Sequence, residues 1–313
     1  MEYLLIIIAL AGIVYGADRL VSGSVSIARK YHVSDFVIGA AIVGIGTSMP
    51  ELTVSFLGAW EGNSDVAIGN IVGSNIFNIL GIIGITALFF PIKVSKENMR
   101  FEIPLCLGVS ILLMLLTFNF FNGSPPALGS IDGLILLALF AIFMWYSFHR
   151  DRKHGYQASE EQDQGPISPL WLAMVRVLIG LAILILSCDI FVDNAIVIAR
   201  KWGLSEAVIS ITLIACGTSL PELAASIAAA FKKNTQLALG NIIGSNIFNI
   251  TLILGLSSQV CTLSAPEIGI ADYLVMIAAV IMIMLFGISG HIGRTAGAIM
   301  LTSFVAYCVY VVL

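Results

Sequence analysis

Polar residues are sparse along this chain and leave apolar runs at about 3–28, 34–60, 66–90, 102–121, 129–148, 169–199, 205–231, 237–262, 270–289 and 293–312. Crossing the hydrocarbon core of a bilayer takes about 20 apolar residues as a helix, so each run is one candidate span, and the longer ones predict tilted or broken helices. Backbone amides find no water inside lipid, and a helix satisfies them within its own segment. The expected fold is an all-α membrane protein of ten transmembrane helices. The clearly hydrophilic stretch from His149 to Gln164 carries both signs of charge and ends at Gly165 and Pro166, as a solvated linker does. The chain then divides into a first unit at 1–149, a linker at 150–168 and a second unit at 169–313, with five spans in each unit.

The few polar residues inside the apolar runs are not scattered. Val37 to Gly84 aligns without gaps on Val208 to Gly255, an offset of 171 residues. The shared skeleton is Gly-Thr-Ser-x-Pro-Glu-Leu at 46–52 and 217–223, then Gly-Asn-Ile-x-Gly-Ser-Asn-Ile-Phe-Asn-Ile at 69–79 and 240–250. Chance similarity between two apolar helices would match leucines and valines, not this polar pattern. The register reaches upstream to Asp18 with Asp189, so each half is one copy of a repeat. An odd number of spans per copy makes the second enter the membrane in the opposite direction, giving two inverted five-helix repeats. Proteins built this way place a substrate near the bilayer midplane, between the copies.

Composition agrees with the span count. Hydrophobic residues are 58% of the 313, charged residues are 11%, and mean hydropathy is +1.00, which cannot furnish a water-soluble surface. A formal net charge of −4 with no basic stripe excludes nucleic acid as a partner. The loops after the odd-numbered spans carry Arg29, Lys30, Lys93, Lys96, Arg100, Arg150, Arg152, Lys153, Lys232, Lys233 and Arg294, against Arg200 and Lys201 on the other side. The positive-inside rule puts the linker in the cytoplasm and both termini outside, and with no large regulatory loop between the halves the expected location is the plasma (inner) membrane. Arg200 and Lys201 match Arg29 and Lys30 in the repeat and land on the outer side by inversion. The apolar Met1–Ala17 lacks the basic leader of a signal peptide and reads as part of the first span. Cys106, Cys188, Cys216, Cys261 and Cys308 sit singly in apolar runs and read as packing residues.

Candidate chemistry concentrates in the duplicated motifs. Thr47 and Glu51 are four apart on one helix face, with Ser48 about 100° around, and Thr218, Ser219 and Glu222 repeat the arrangement. Pro50 and Pro221 lack an N–H and clash with the carbonyls of Gly46 and Gly217 in a regular helix, so each predicts a break. An ionised carboxylate at mid-bilayer costs about 3 kcal/mol on insertion scales and marks a site or pathway. Glu51 and Glu222, at matched positions in inverted copies, converge on one point. Ser74 with Asn78, and Ser245 with Asn249, add neutral oxygens four apart on one face. The set is all oxygen, without paired His or Cys, and suits a hard cation, with calcium taking roughly 6 to 8 such ligands.

The remaining polar residues have quieter expectations. Gly69, Gly73, Gly240 and Gly244, spaced Gly-x-x-x-Gly, predict close helix approach. Asn70, Asn75, Asn241 and Asn246 are expected to bond backbone carbonyls. Asp18, Arg19, Asp189 and Asp193 are expected near the water boundary or in local pairs. Arg176 is expected to snorkel. His32, His149, His154 and His291 fall in or beside loops and suggest no metal site.

The paired Gly-Thr-Ser-x-Pro-Glu and Gly-Asn-x-x-Gly-Ser-Asn-x-x-Asn motifs resemble the alpha repeats of the cation/calcium exchanger superfamily, nearest its prokaryotic sodium/calcium exchangers, over essentially the whole chain. The resemblance implies a central site between the second, third, seventh and eighth helices, with the first and sixth sliding past the rest. It implies that Glu51 and Glu222 bind calcium with the main-chain carbonyls of Thr47 and Thr218. Sodium sites would use the same glutamates with Ser48, Ser74, Ser219, Ser245 and the carbonyls of Gly44 and Ala215, while Asn78 and Asn249 complete the centre. Some relatives have Asp at one of these last two positions, whereas both are Asn here. Two formal negative charges neutralise one calcium and leave three sodium ions with net positive charge, so stoichiometry is open.

The implied activity is antiport of Ca2+ against Na+, not enzymatic catalysis, with no cofactor and with the two ions and membrane lipid as partners. Proton or potassium coupling, and magnesium or manganese as cargo, use the same ligand types; the flexible many-oxygen shell favours calcium. A cation channel could also use carboxylates and carbonyls at the midplane. An intramembrane enzyme would need a base beside Thr47-Ser48 or Thr218-Ser219, and neither motif holds a Lys or His.

Overall fold

The apolar runs fold as helices in a computed structural model that describes residues 1–118, 126–154, 168–203, 215–264 and 268–312. In chain order these are α1 (Glu2–Tyr31), α2 (Asp35–Thr47), α3 (Met49–Trp60), α4 (Ser64–Phe89), α5 (Asn98–Phe118) and α6 (Ser130–His154). There follow α7 (Leu170–Lys201), α8 (Ala215–Gly217), α9 (Leu220–Phe231), α10 (Thr235–Val260), α11 (Ile270–Gly287) and α12 (Arg294–Val312). Eight of the described helices are each long and apolar enough to cross a membrane, and α2 with α3 forms a ninth candidate span bent by 49°. The start of the expected seventh span, 204–214, and most of the expected linker lie outside the described residues. So does the tail of the expected fourth span beyond Phe118.

The expected break falls at Ser48, two residues before Pro50. Ser48 leaves the helical region with φ −84 and ψ 11, and Pro50 lies in the first turn of α3, where a missing N–H costs nothing. The matched residue Ser219, with φ −91 and ψ 8, separates α8 from α9, and Pro221 occupies the same place. The Ser48 amide donates to the Gly44 carbonyl at 3.1 Å and closes α2. At its other end the first unit differs from expectation too: α6 runs on to His154 instead of ending near residue 148. The Arg150 guanidinium there pairs with the buried Glu102 of α5 and lies over the rings of Phe101 and Tyr146, which ties this end of α6 to the bundle.

Burial separates the helices into an inside and an outside. In the apolar stretches of α4 and α10, 83% and 94% of residues are buried, against 11% in α12, so α4 and α10 form the centre. They carry the second motif of each copy. On the outside, α1 and α7 lie along each other at backbone distance. A Cβ on Gly180 would come within 2.5 Å of the Leu20 amide nitrogen, and one on Gly16 within 2.7 Å of the Leu184 nitrogen. At one end of this pair Lys201 binds Glu2 at 2.9 Å.

Of the expected Gly-x-x-x-Gly contacts, those of the second copy form. A Cβ on Gly240 would meet the Phe36 carbonyl oxygen at 2.2 Å and one on Gly244 the Ala40 Cα at 2.4 Å, so α10 packs directly on α2. Gly73 has no described atom so close, and the residues matched to Phe36 and Ala40, 207 and 211, lie outside the described set.

Two pairs of two-residue strands were not foreseen from the hydrophobic pattern. Ile92–Lys93 pairs antiparallel with His291–Ile292, and Ala127–Leu128 pairs antiparallel with Leu263–Ser264. Strands of two residues offer too little alternation to be read from sequence. They join a loop of each half to a loop of the other.

Candidate cation site

The two motif glutamates are fully buried, at 0% exposure, and each is held from the opposite copy. The hydroxyl of Ser48, at the α2–α3 break, donates to Glu222 Oε1 at 2.8 Å, and that of Ser219, at the α8–α9 break, donates to Glu51 Oε1 at 2.8 Å. The break in each helix explains the reach: a serine outside regular helical geometry turns its side chain across the interface. The second oxygen of each carboxylate, Oε2, is buried and has no hydrogen-bond partner.

The asparagines pair in the same reciprocal way. Asn70 donates to the main-chain oxygen of Glu51 at 3.3 Å and to Ser55 Oγ at 3.0 Å; Asn241 donates to the Glu222 oxygen at 3.2 Å and to Ser226 Oγ at 2.9 Å. Their own Oδ1 atoms lie 3.4 Å from the Thr218 hydroxyl and 3.3 Å from the Thr47 hydroxyl of the other copy. Thr47 Oγ1 also bonds back to the Val43 carbonyl at 2.9 Å, the habit of hydroxyls within helices. One layer away, Asn75 and Asn246 exchange side-chain amides for main-chain carbonyls, and Asn78 and Asn249 donate to them. Asn78 and Asn249 both sit in wider, π-helical turns, at Phe77–Ile83 and Asn249–Ile253, an irregularity that recurs at functional sites.

Several of the buried atoms left without a partner belong to the matched motifs. Among the described residues, the buried side-chain atoms without a partner include Glu51 Oε2, Glu222 Oε2, Ser74 Oγ, Asn78 Oδ1 and Asn249 Oδ1. A buried polar atom without a partner costs about 1–3 kcal/mol, so five oxygens from the matched motifs call for a common explanation. All five are acceptors, two belong to carboxylates, and no group of three or more His, Cys, Asp or Glu side chains occurs among the described residues. Such a set fits a hard cation.

Of the residues expected at the centre, Thr47, Ser48, Glu51, Ser74, Asn78, Ser219, Glu222, Ser245 and Asn249 are buried, and Thr218 is half-buried. Gly44 is buried in α2, and its carbonyl accepts from the Ser245 hydroxyl at 3.3 Å. Ala215 begins the short α8. Two residues close to the glutamates escaped sequence reasoning. Ser55 and Ser226 are repeat mates, each four residues after its glutamate and fully buried, and each holds the asparagine that holds the glutamate carbonyl. Their shared polarity at matched positions was the available signal.

The other intramembrane charges stand apart from this cluster. Asp18 accepts from Lys232 at 2.7 Å in a half-exposed pair, Arg19 lies 4.8 Å from the Tyr15 ring centre, and Asp189 and Asp193 are exposed. Arg176 reaches Ser168 Oγ at 2.8 Å. All five cysteines are free thiols.

Comparison with known proteins gives a consistent result. The model of the sodium/calcium exchanger protein family matches residues 1–149 and 172–313. Over 311 residues the chain is 38% identical to a putative antiporter, CaxA, of Alkalimonas amylolytica, covering 96% of both proteins. Over 345 residues it is 30% identical to the sodium/calcium exchanger MaX1 of Methanosarcina acetivorans, covering 99% of this chain and 98% of the other. Its structure resembles that of the sodium-calcium exchanger NCX_Mj with a TM-score of 0.84 at 33% identity, over 99% of this chain and 98% of that one.

Proposed function

Because the chain belongs to the sodium/calcium exchanger protein family, we propose that it is a secondary active antiporter exchanging Ca2+ for Na+ at a site centred on Glu51 and Glu222. The observation that carries the reading is the reciprocal pair of serine–glutamate bonds, which leaves one carboxylate oxygen of each glutamate fully buried and without a partner. Calcium takes the two Oε2 atoms with the main-chain carbonyls of Thr47 and Thr218. Sodium ions divide the same glutamates among Ser48, Ser74, Ser219, Ser245 and the carbonyls of Gly44 and Ala215, and Asn78 and Asn249 complete the centre.

The two cargoes compete for overlapping oxygens, so the protein cannot hold both fully at once. Competition of this kind makes an exchanger. A bound cargo neutralises the carboxylates and allows the helices to move. The empty site, with two uncompensated charges, resists crossing the apolar barrier, which suppresses leak. The moving part is α1 with α7, whose glycine-mediated contact supports motion as one body past the α4–α10 core. An inward sodium gradient then drives calcium out.

Ten spans in two inverted copies are the architecture of this mechanism, the short α8 and α9 completing the seventh span. The strand pairs support the inversion. Ile92–Lys93 and its repeat mate Leu263–Ser264 each pair with a loop of the other half. The first pair joins the loops after the third and ninth spans, and the second those after the fourth and eighth, so each pair lies on one side of a ten-span bundle. With the charge bias, the linker is cytoplasmic and both termini are outside the plasma membrane.

Replacement of either carboxylate tests the assignment. In proteoliposomes, Glu51→Gln and Glu222→Gln each reduce sodium-driven calcium uptake to the level of empty vesicles while the purified variants stay monodisperse in detergent. Full uptake by either variant would remove that residue from the site.

A further inference from the structure

Asn75 and Asn246 are fully buried, lie outside the set expected to touch cargo, and are the hub of a four-residue network whose donor and acceptor directions can be deduced. Asn75 Nδ2 lies 3.3 Å from the main-chain oxygen of Asn246, and Asn246 Nδ2 lies 3.1 Å from that of Asn75. A carbonyl oxygen only accepts, so the NH2 of each side chain must face it, and the two ends of these amides cannot be exchanged. The Oδ1 of each is thereby aimed at the next asparagine: Asn246 Oδ1 at Asn78 and Asn75 Oδ1 at Asn249, both at 3.0 Å. Those atoms also only accept. Asn78 and Asn249 must therefore turn their NH2 groups toward the hub and leave their own Oδ1 atoms on the other side, where both are buried without a partner.

We propose that Asn75 and Asn246 are positioning residues that fix the amide polarity of Asn249 and Asn78, so that each presents its oxygen and not its NH2 to the transported cation. This rests on the reading of Asn78 and Asn249 as cation ligands. An amide has two ends of similar size and opposite polarity, and a site built from it needs something to forbid the flip. A flipped amide would aim N–H groups at a cation in a buried setting, where an aspartate in the same place has no such wrong face. The backbone carbonyls of Asn75 and Asn246 supply the direction, because they belong to the helices and cannot turn.

A double-mutant cycle separates this role from plain packing. The half-saturating Ca2+ concentration for sodium-driven uptake is measured in proteoliposomes for the parent chain, Asn75→Ala, Asn249→Asp and the double variant. In the parent background Asn75→Ala raises that concentration by about 10- to 100-fold, as loss of an outer-shell partner does in metal sites. In the Asn249→Asp background the cost disappears or reverses, because a carboxylate has no N–H face and the oxygen replacing Nδ2 meets Asn75 Oδ1 in repulsion until Asn75 is removed. Equal costs in the two backgrounds, to within about twofold as independent sites give, would overturn the proposal. No cost from Asn75→Ala in the parent background would overturn it as well. If Asn249→Asp changes neither the Ca2+ nor the Na+ dependence, the ligand reading of Asn249 fails and the proposal falls with it. Should Asn75→Ala not yield folded protein, Asn246→Ala with Asn78→Asp gives the same cycle on the other side of the network.

Discussion

Ser48 and Ser219 each satisfy one carboxylate oxygen of the glutamate in the other half and leave its second oxygen buried without a partner. Asn70 and Asn241 then hold the glutamate main-chain oxygens, and Ser55 and Ser226 hold the asparagines. This shell makes graded predictions. Asn70→Ala should raise the half-saturating Ca2+ concentration by about 10- to 100-fold with the protein still folded, as uptake titrations would show. Ser55→Ala removes one bond to Asn70 and should lower stability by about 1 kcal/mol, read as a shift in detergent unfolding temperature, with a smaller effect on uptake. The central residues were legible because duplication marks them: a polar residue kept at both copies of an apolar motif stands out. Ser55 and Ser226 were harder to see because each lies past the duplicated Pro-Glu-Leu core, in a mostly apolar stretch of α3 or α9. The cross-repeat partner of each serine was not legible at all, since it depends on how two distant segments dock.

Helix interruption was legible from Pro50 and Pro221, while its place at Ser48 and Ser219 was not. Proline fits the first turn of a helix, so the chain restarts just before it and frees the serine side chain to cross the interface. Wider turns around Asn78 and Asn249 carried no sequence signal. Packing between elements gives the sharpest stability contrast. Gly240→Ala puts a methyl into the Phe36 carbonyl and should cost about 1–3 kcal/mol, seen as a lower unfolding temperature. Gly108→Ala, with no atom within 4 Å of the new methyl, should leave that temperature unchanged or raise it through a gain in helix propensity of about 0.5–1 kcal/mol. The half-exposed Asp18–Lys232 pair joins α1 to the end of α9, and Lys232→Ala should change stability by no more than about 1 kcal/mol.

At the scale of the whole molecule, hydrophobic run length located most of the helices, while self-similarity is the basis on which the inverted relation of the halves is proposed. The halves dock through bonds that recur in both directions between them: serine to glutamate, threonine to asparagine and strand to strand, with Asn75 and Asn246 bonding directly as repeat mates. Such reciprocity is how a two-fold arrangement builds one site from two copies of one sequence. It also gives the transport reading its economy, because one cluster of acceptors between the copies can serve cargo from either side as α1 and α7 move. The charges make the coupling testable. In the proposed site, the two carboxylates of Glu51 and Glu222 balance one calcium ion, so replacing either one should change the ion dependence of uptake.

The most direct measurement is calcium-45 uptake into proteoliposomes preloaded with sodium, compared with identical vesicles in which choline or potassium replaces it. Uptake that requires internal sodium and collapses when the sodium gradient is dissipated is the predicted result; equal uptake from sodium-free vesicles would contradict sodium/calcium exchange.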